Sequence, residues 1–137
     1  MNEIKKVYLA ISYSDRKLFD EEISALKSLF AERGIELLVF VDKYNFHYDQ
    51  EKEMMKTAFQ EIDSCDLLIA ELSTKSIGVG IEIGYAHSKN IPICYIRKNG
   101  SEYSTTAAGC ASDIIEYDGI DILKREMSLL TNKENRN

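Results

Sequence analysis

A single carboxylate stands among small and apolar residues in the segment SIGVGIEIGYA, residues 76–86. This residue, Glu82, lies between Ile81 and Ile83, and Gly78 and Gly80 precede it. Two glycines before a helix permit a tight turn and let a ligand approach the backbone closely. The free N–H groups of the helix expected after them can hold phosphate or hydroxyl oxygens. An ionised carboxylate at that helix start can attack, or stabilise charge on, an electrophilic carbon such as an anomeric centre. The same residue can equally be a first-turn glutamate that complements the helix dipole, contributing ~0.5 kcal/mol. The residues alone leave both readings open.

Other side chains with usable chemistry fall where strands are expected to end. Arg16 and Arg97 each present a planar fork suited to phosphate. The polar and aromatic run 43–50, KYNFHYDQ, holds His47, whose imidazole can donate a proton to a base nitrogen. Tyr44, Phe46 and Tyr48 in the same run can stack on a base or simply close a pocket against water. Asp42 and Asp49 flank them as further acids, while His87 is assigned to surface or packing.

Alternating strand and helix patterns must position these groups. Residues 6–12 (KVYLAIS) read as a strand, and residues 15–33 place Leu18, Phe19, Ile23, Leu26, Leu29 and Phe30 at helical spacing. Gly34 stops that helix, and residues 36–41 form the second strand. A loop over 43–50 leads to a helix at 51–64, then to a strand at 66–72 (DLLIAEL) whose continuous apolar centre implies burial on both faces. A loop over 73–80, a short helix at 81–89, a strand at 91–96, a long loop at 97–109, a strand at 113–117 and a helix at 120–130 complete the chain. Residues 131–137 are expected to fray. The pattern predicts one domain over 1–137: a three-layer α/β sandwich, flavodoxin/Rossmann-like, with a mostly parallel sheet of about five strands. Ligands of such sheets sit outside the carboxyl ends of the strands.

Composition narrows the function further. With 137 residues, 45% apolar and 29% charged, the chain can bury a core unaided. A net charge of -6 opposes a role coating nucleic acid, which needs clustered Lys and Arg. Cys65, Cys94 and Cys110 lack metal-type spacing and are expected to be reduced core residues, so neither metal nor cofactor is implied. No apolar stretch approaches the ~20 residues needed to span a bilayer, which points to a cytoplasmic protein with no membrane partner.

The run DLLIAELSTKSIGVGIEIGYAHSKNIPICYIR, residues 66–97, resembles the central signature of the nucleoside 2-deoxyribosyltransferase superfamily, which includes 2'-deoxynucleoside 5'-phosphate N-hydrolases. The resemblance implies that Glu82 is a nucleophile forming a covalent ribosyl or deoxyribosyl intermediate, later passed to another base or to water. It implies that Tyr8 lies beside that nucleophile, that Ser12 is a small polar contact, and that Ser76 helps bind a 5'-phosphate. Ser104 matches a serine that reaches into a neighbouring subunit's site, so a homodimer or higher homo-oligomer is implied.

One position departs from the pattern. Family members carry an aspartate on the helix before the third strand, where it protonates the leaving base or orients the nucleophile, and here that position is Ala58. Leaving-group protonation typically contributes ~10²- to 10⁴-fold, and Asp42, His47 and Asp49 are the candidate replacements. The expected function is therefore N-glycosidic cleavage or (deoxy)ribosyl transfer on a nucleoside or nucleoside 5'-monophosphate. The alternatives are a nucleotide-sensing module that has lost its chemistry and, by fold analogy, a TIR-like NAD glycohydrolase.

Overall fold

The computed structural model describes residues 3–134. Five strands, β1 (Lys6–Ala10), β2 (Glu36–Val39), β3 (Leu67–Glu71), β4 (Ile93–Lys98) and β5 (Asp113–Tyr117), form one sheet in the order β2-β1-β3-β4-β5. Every pairing is parallel. The longer helices are α1 (Asp20–Ala31), α3 (Glu51–Asp63), α4 (Ile77–Ser88) and α6 (Ile120–Glu134), with short α2 (Phe40–Lys43) and α5 (Thr105–Cys110) between them.

Strand alternation divides the core in two. Val7, Leu9, Leu67 and Ile69 pack with Ile23, Leu26 and Phe30 of α1 and with Leu123 and Met127 of α6. Tyr8, Ala10, Leu68 and Ala70 face the other way, against Ala58 and Ile62 of α3 and Val79, Ile83 and Ala86 of α4. This is the three-layer sandwich that the alternating pattern predicts. β1 lies between β2 and β3, and the chain goes first to β2 on one side and then to β3 on the other. The reversal opens a crevice at the carboxyl ends of β1 and β3.

Local details differ from expectation for identifiable reasons. The helix expected over 15–33 begins as 3₁₀ turns at Tyr13–Phe19, capped by the Ser12 hydroxyl, which accepts the Asp15 N–H at 3.2 Å. The α-helix proper starts at Asp20, with Glu21 and Glu22 in its first turn, and Leu18 is exposed instead of joining the core. α4 begins at Ile77, earlier than expected, because the Ser76 hydroxyl accepts the Val79 N–H at 3.3 Å and caps it. Gly78 and Gly80 therefore lie inside a helix with negative φ, not in a tight turn. The long loop expected after β4 contains α5, capped by Ser104, whose hydroxyl accepts the Ala107 N–H at 3.1 Å.

α6 runs on to Glu134, and Thr131 is fully buried, so fraying does not begin there. The Arg33 guanidinium donates to the Ser128 carbonyl at 3.1 Å and to the hydroxyls of Ser128 and Thr131, pinning α6 to the end of α1. The rest of the expected frayed end, 135–137, lies outside the described residues. Asp66 has a structural role: its Oδ2 accepts the Lys5 and Lys6 N–H groups at 2.8 and 3.0 Å and ties β1 to the start of β3. Cys65, Cys94 and Cys110 are free thiols, the first two buried. Among the described residues no helix is long and apolar enough to cross a membrane.

Candidate active site

Tyr8 enters the site from the middle of β1, fully buried, and its phenol donates a short hydrogen bond to Glu82 Oε2. The pairing is a consequence of topology. β1 and β3 are neighbours, so the helix that follows β3 lies across the face on which Tyr8 points. Glu82 is the sixth residue of α4 and so sits in its second turn, beyond the reach of most of the dipole effect. Ile83 beside it is buried and Ile81 exposed, which turns the carboxylate toward the cleft edge. Burial pushes the Glu82 carboxyl up to about 7, although the Tyr8 hydrogen bond favours the ionised form. The Tyr8 phenol is raised in turn, first by burial and then by the adjacent carboxylate.

A cavity of about 490 Å³ opens over this pair. Ala10, Ile11 and Ser12 at the end of β1 form one side, and Ser76, Gly78 and Val79 of the α4 start form another. Phe40, Tyr44 and Phe46 form an aromatic wall, with ring centroids 5.0 Å apart for Phe40–Tyr44 and 5.8 Å apart for Tyr44–Phe46. Met54, Met55 and Ala58 of α3 close the opposite side. Among the described lining residues Glu82 is the sole carboxylate, and no Lys, Arg or His contributes. The arrangement suits a flat, uncharged ring against the aromatic wall with its attached carbon near a carboxylate.

Of the residues expected at the site, Ser12, Phe46, Ser76, Gly78 and Glu82 line the cavity, and Tyr8 joins through Glu82. The others do not. Arg16 is occupied by carboxylates: Nε donates to Asp42 at 2.8 and 3.0 Å, Nη2 to Asp42 at 2.9 Å, and Nη1 to Asp20 at 2.6 Å. Arg16 and Asp42 thus pair with each other, and neither is in the cavity lining. His47 is exposed outside the lining, because its backbone N–H bonds Gln50 Oε1 at 2.9 Å in the turn before α3. The acid role expected of His47 therefore has no geometric support, and Asp49 likewise lies off the lining. Gly80 is exposed on α4 one step from the cavity. Arg97 is buried under Tyr103, 5.3 Å from the ring centroid, with Glu116 at 3.6 Å and the Ser101 carbonyl at 3.3 Å. Ser104 caps α5 instead of facing this chain's own cavity.

Glu61 has a supporting role that reading the sequence did not reveal. It is buried on α3 and accepts Lys6 Nζ at 2.8 Å, Lys43 Nζ at 2.9 Å and the Tyr44 hydroxyl at 2.5 Å. Burial alone pushes its carboxyl up, but these three donors more than offset that and hold it at about 2. Tyr44 is thereby fixed in the aromatic wall. The available signal was spacing: Met54, Ala58 and Glu61 recur at helical intervals on the inward side of α3.

Comparisons with known proteins bear on the family and the fold. A 2'-deoxynucleoside 5'-phosphate N-hydrolase 1, so named, of Syntrophotalea carbinolica is 50% identical over 46 residues, a stretch covering 34% of this chain and 32% of that protein. The CMP N-glycosidase BcmB of Clostridium botulinum superposes with a TM-score of 0.71 at 24% identity, covering 92% of this chain and 99% of the other. A 2-deoxyribosyltransferase of Bacillus psychrosaccharolyticus superposes with a TM-score of 0.70 at 14% identity over 90% of each chain. At such identities the superpositions speak for the fold alone. The profile described as nucleoside 2-deoxyribosyltransferase, however, matches residues 7–132, nearly the whole length, and the chain belongs to that family.

Proposed function

We propose that this protein cleaves the N-glycosidic bond of a nucleoside or nucleoside 5'-monophosphate, with Glu82 as nucleophile. The observation that supports this best is Glu82, bonded by the buried Tyr8 phenol, in the lining of an apolar, aromatic-walled cavity on the β1/β3 crevice. The ionised Glu82 attacks the anomeric carbon. The carbon–nitrogen bond breaks as the carbon–oxygen bond forms, and the base leaves with the electron pair. Water or an acceptor base then attacks the same carbon and releases Glu82, which gives net retention. Tyr8 holds the carboxylate in place and disperses its charge before attack.

Ala58 offers no proton to the departing base, so the base takes its proton from water in the cavity, and turnover is slow for bases that leave poorly as anions. Ser76 and Gly78 at the start of α4 support a 5'-phosphate there, as do the phosphorylated substrates in the names of two relatives. A homo-oligomer completes the site in this reading. Exposed Ile77 and Ile81, one turn apart on α4, provide an apolar surface for it next to Ser76 and Gly78 of the cavity lining.

The decisive experiment incubates the protein with each common (deoxy)nucleoside and monophosphate, with and without an acceptor base, and separates free base by chromatography. Base release from at least one substrate, abolished in Glu82→Gln, is expected. No release at enzyme concentrations sufficient for single turnover would exclude catalysis. A second reading, a nucleotide-sensing module, draws on Ala58, and calorimetric binding without turnover would favour it.

A further inference from the structure

A buried carboxylate also lies on the far side of the sheet from Glu82. Glu71, the last residue of β3, is 5% exposed and follows Leu67 and Ile69 in alternation toward the α1–α6 layer. Its Oε1 accepts the Ser73 N–H at 2.7 Å, and its Oε2 accepts the Ser73 hydroxyl at 2.9 Å and the Tyr117 hydroxyl at 3.0 Å. Ser73 Oγ in turn accepts the Lys98 N–H at 2.9 Å. One carboxylate thus joins the ends of β3, β4 and β5. It does so at the first bend of the connection that leads to the Ser76 cap and to Glu82.

The charged surroundings are defined. Glu22 of α1 faces the cluster, with Tyr117 Oη at 3.5 Å and Lys98 Nζ at 3.5 Å from its Oε2. Glu22, Lys98 and Tyr117 also line a separate cavity of about 500 Å³, which continues to Lys17, Asp20 and Asp118 and admits solvent to this side. Burial raises the Glu71 carboxyl to about 6, with Glu22 adding to the rise, while the Ser73 and Tyr117 hydrogen bonds oppose it.

We propose that Glu71 is a positioning residue for the Glu82 site, its ionised carboxylate anchoring Ser73 and so the whole β3–α4 connection. An ionised carboxylate accepts all three donors, each bond being charge-assisted. Proton uptake removes the charge assistance and makes one of the two hydroxyls turn to accept from the new O–H, and the anchor loosens. The start of α4 then loses its fixed relation to β4 and β5.

The proposal rests on reading Glu82 as the reacting group, and its test has two independent arms. Amide ¹⁵N–¹H NMR of the full chain is recorded between about pH 5 and pH 8 in a Glu82→Gln background, which removes the neighbouring titration on α4. The Ser73 and Lys98 amides should shift with a midpoint near 6, the Val79 amide should follow them, and Glu71→Gln should abolish all three shifts. In the second arm, log kcat/KM falls below pH 7 with a slope of about one, from Glu82, and steepens to about two below pH 6. In Glu71→Gln the slope stays near one throughout. Flat Ser73 and Lys98 amides, a Val79 amide that ignores them, or a second slope that survives in Glu71→Gln overturns the proposal. Should Glu71→Gln fail to fold, the titration of the parent chain decides. If no substrate is turned over, the reading of Glu82 fails, and the amide titrations still report on Glu71.

Discussion

Glu82 owes its character to burial and to one phenol, not to the helix end near it. Its carboxyl is raised to about 7, so the folded state prefers the proton. The linkage sign follows: stability attached to this group is full below its unfolded value near 4.5 and is lost as pH rises through 7. Glu82→Gln should therefore stabilise the protein at pH 8, by up to about 3 kcal/mol, with the gain disappearing below about pH 5. Thermal melts at the two pH values measure this. The same variant should lower base release by about 10³-fold or more, since no second carboxylate lines the cavity. Tyr8→Phe removes the donor that favours the ionised form and should move the activity limb upward in pH, as read from a kcat/KM profile. Ala58, 1% exposed and on the cavity wall, is the place to restore an acid. Ala58→Asp should raise turnover by about 10²-fold for poor leaving bases and less for good ones. Equal rates across the base series would argue that protonation is not what limits this enzyme.

Helix α3 contributes more than its lining residues. Through Glu61 it fastens the start of β1 by Lys6 and the end of α2 by Lys43, and it orients Tyr44. The Glu61 carboxyl is held at about 2, so its contribution is present above pH 4.5 and disappears as pH falls toward 2. Glu61→Gln should cost about 1–2 kcal/mol at pH 7, allowing for solvent screening around half-exposed Lys43, and almost nothing near pH 2. Urea melts at both values test this. Tyr44 would also lose its anchor, so substrate KM should rise even where the fold survives. Helix α4 illustrates how a cap overrides an apparent turn signal. Gly78 and Gly80 read as a loop, but Ser76 supplies the cap that pulls both into the helix.

At the scale of the whole molecule, α4 carries an exposed apolar surface next to the cavity lining. Ile77 is 85% exposed and Ile81 48% exposed on α4, and both border the start of the helix that bears Glu82. If this surface joins two copies, analytical ultracentrifugation should give a dimer or larger species. Ile77→Asp combined with Ile81→Asp should then dissociate it and reduce activity together. A monomer with full turnover would remove the oligomer from the reading of the site.

Periodicity determined the layers. Apolar runs separated by helical spacing force parallel strands, and β5 falls at 113–117 as read. The residue types around Glu82 made it a candidate but left a first-turn glutamate equally open, and the resemblance over residues 66–97 is what favoured a nucleophile. The resemblance implied Tyr8 beside that carboxylate, and tertiary structure decided which other polar groups stay away from it. Arg16, Asp42, His47 and Arg97 all sit near strand ends, but each has a partner or an exposure that takes it elsewhere. Glu61 and Glu71 resemble ordinary surface acids in the chain, yet the fold buries both among donors. The physical reason is that spacing along a strand or helix sets which face a side chain takes, whereas its partner and its protonation depend on what other segments bring to that face.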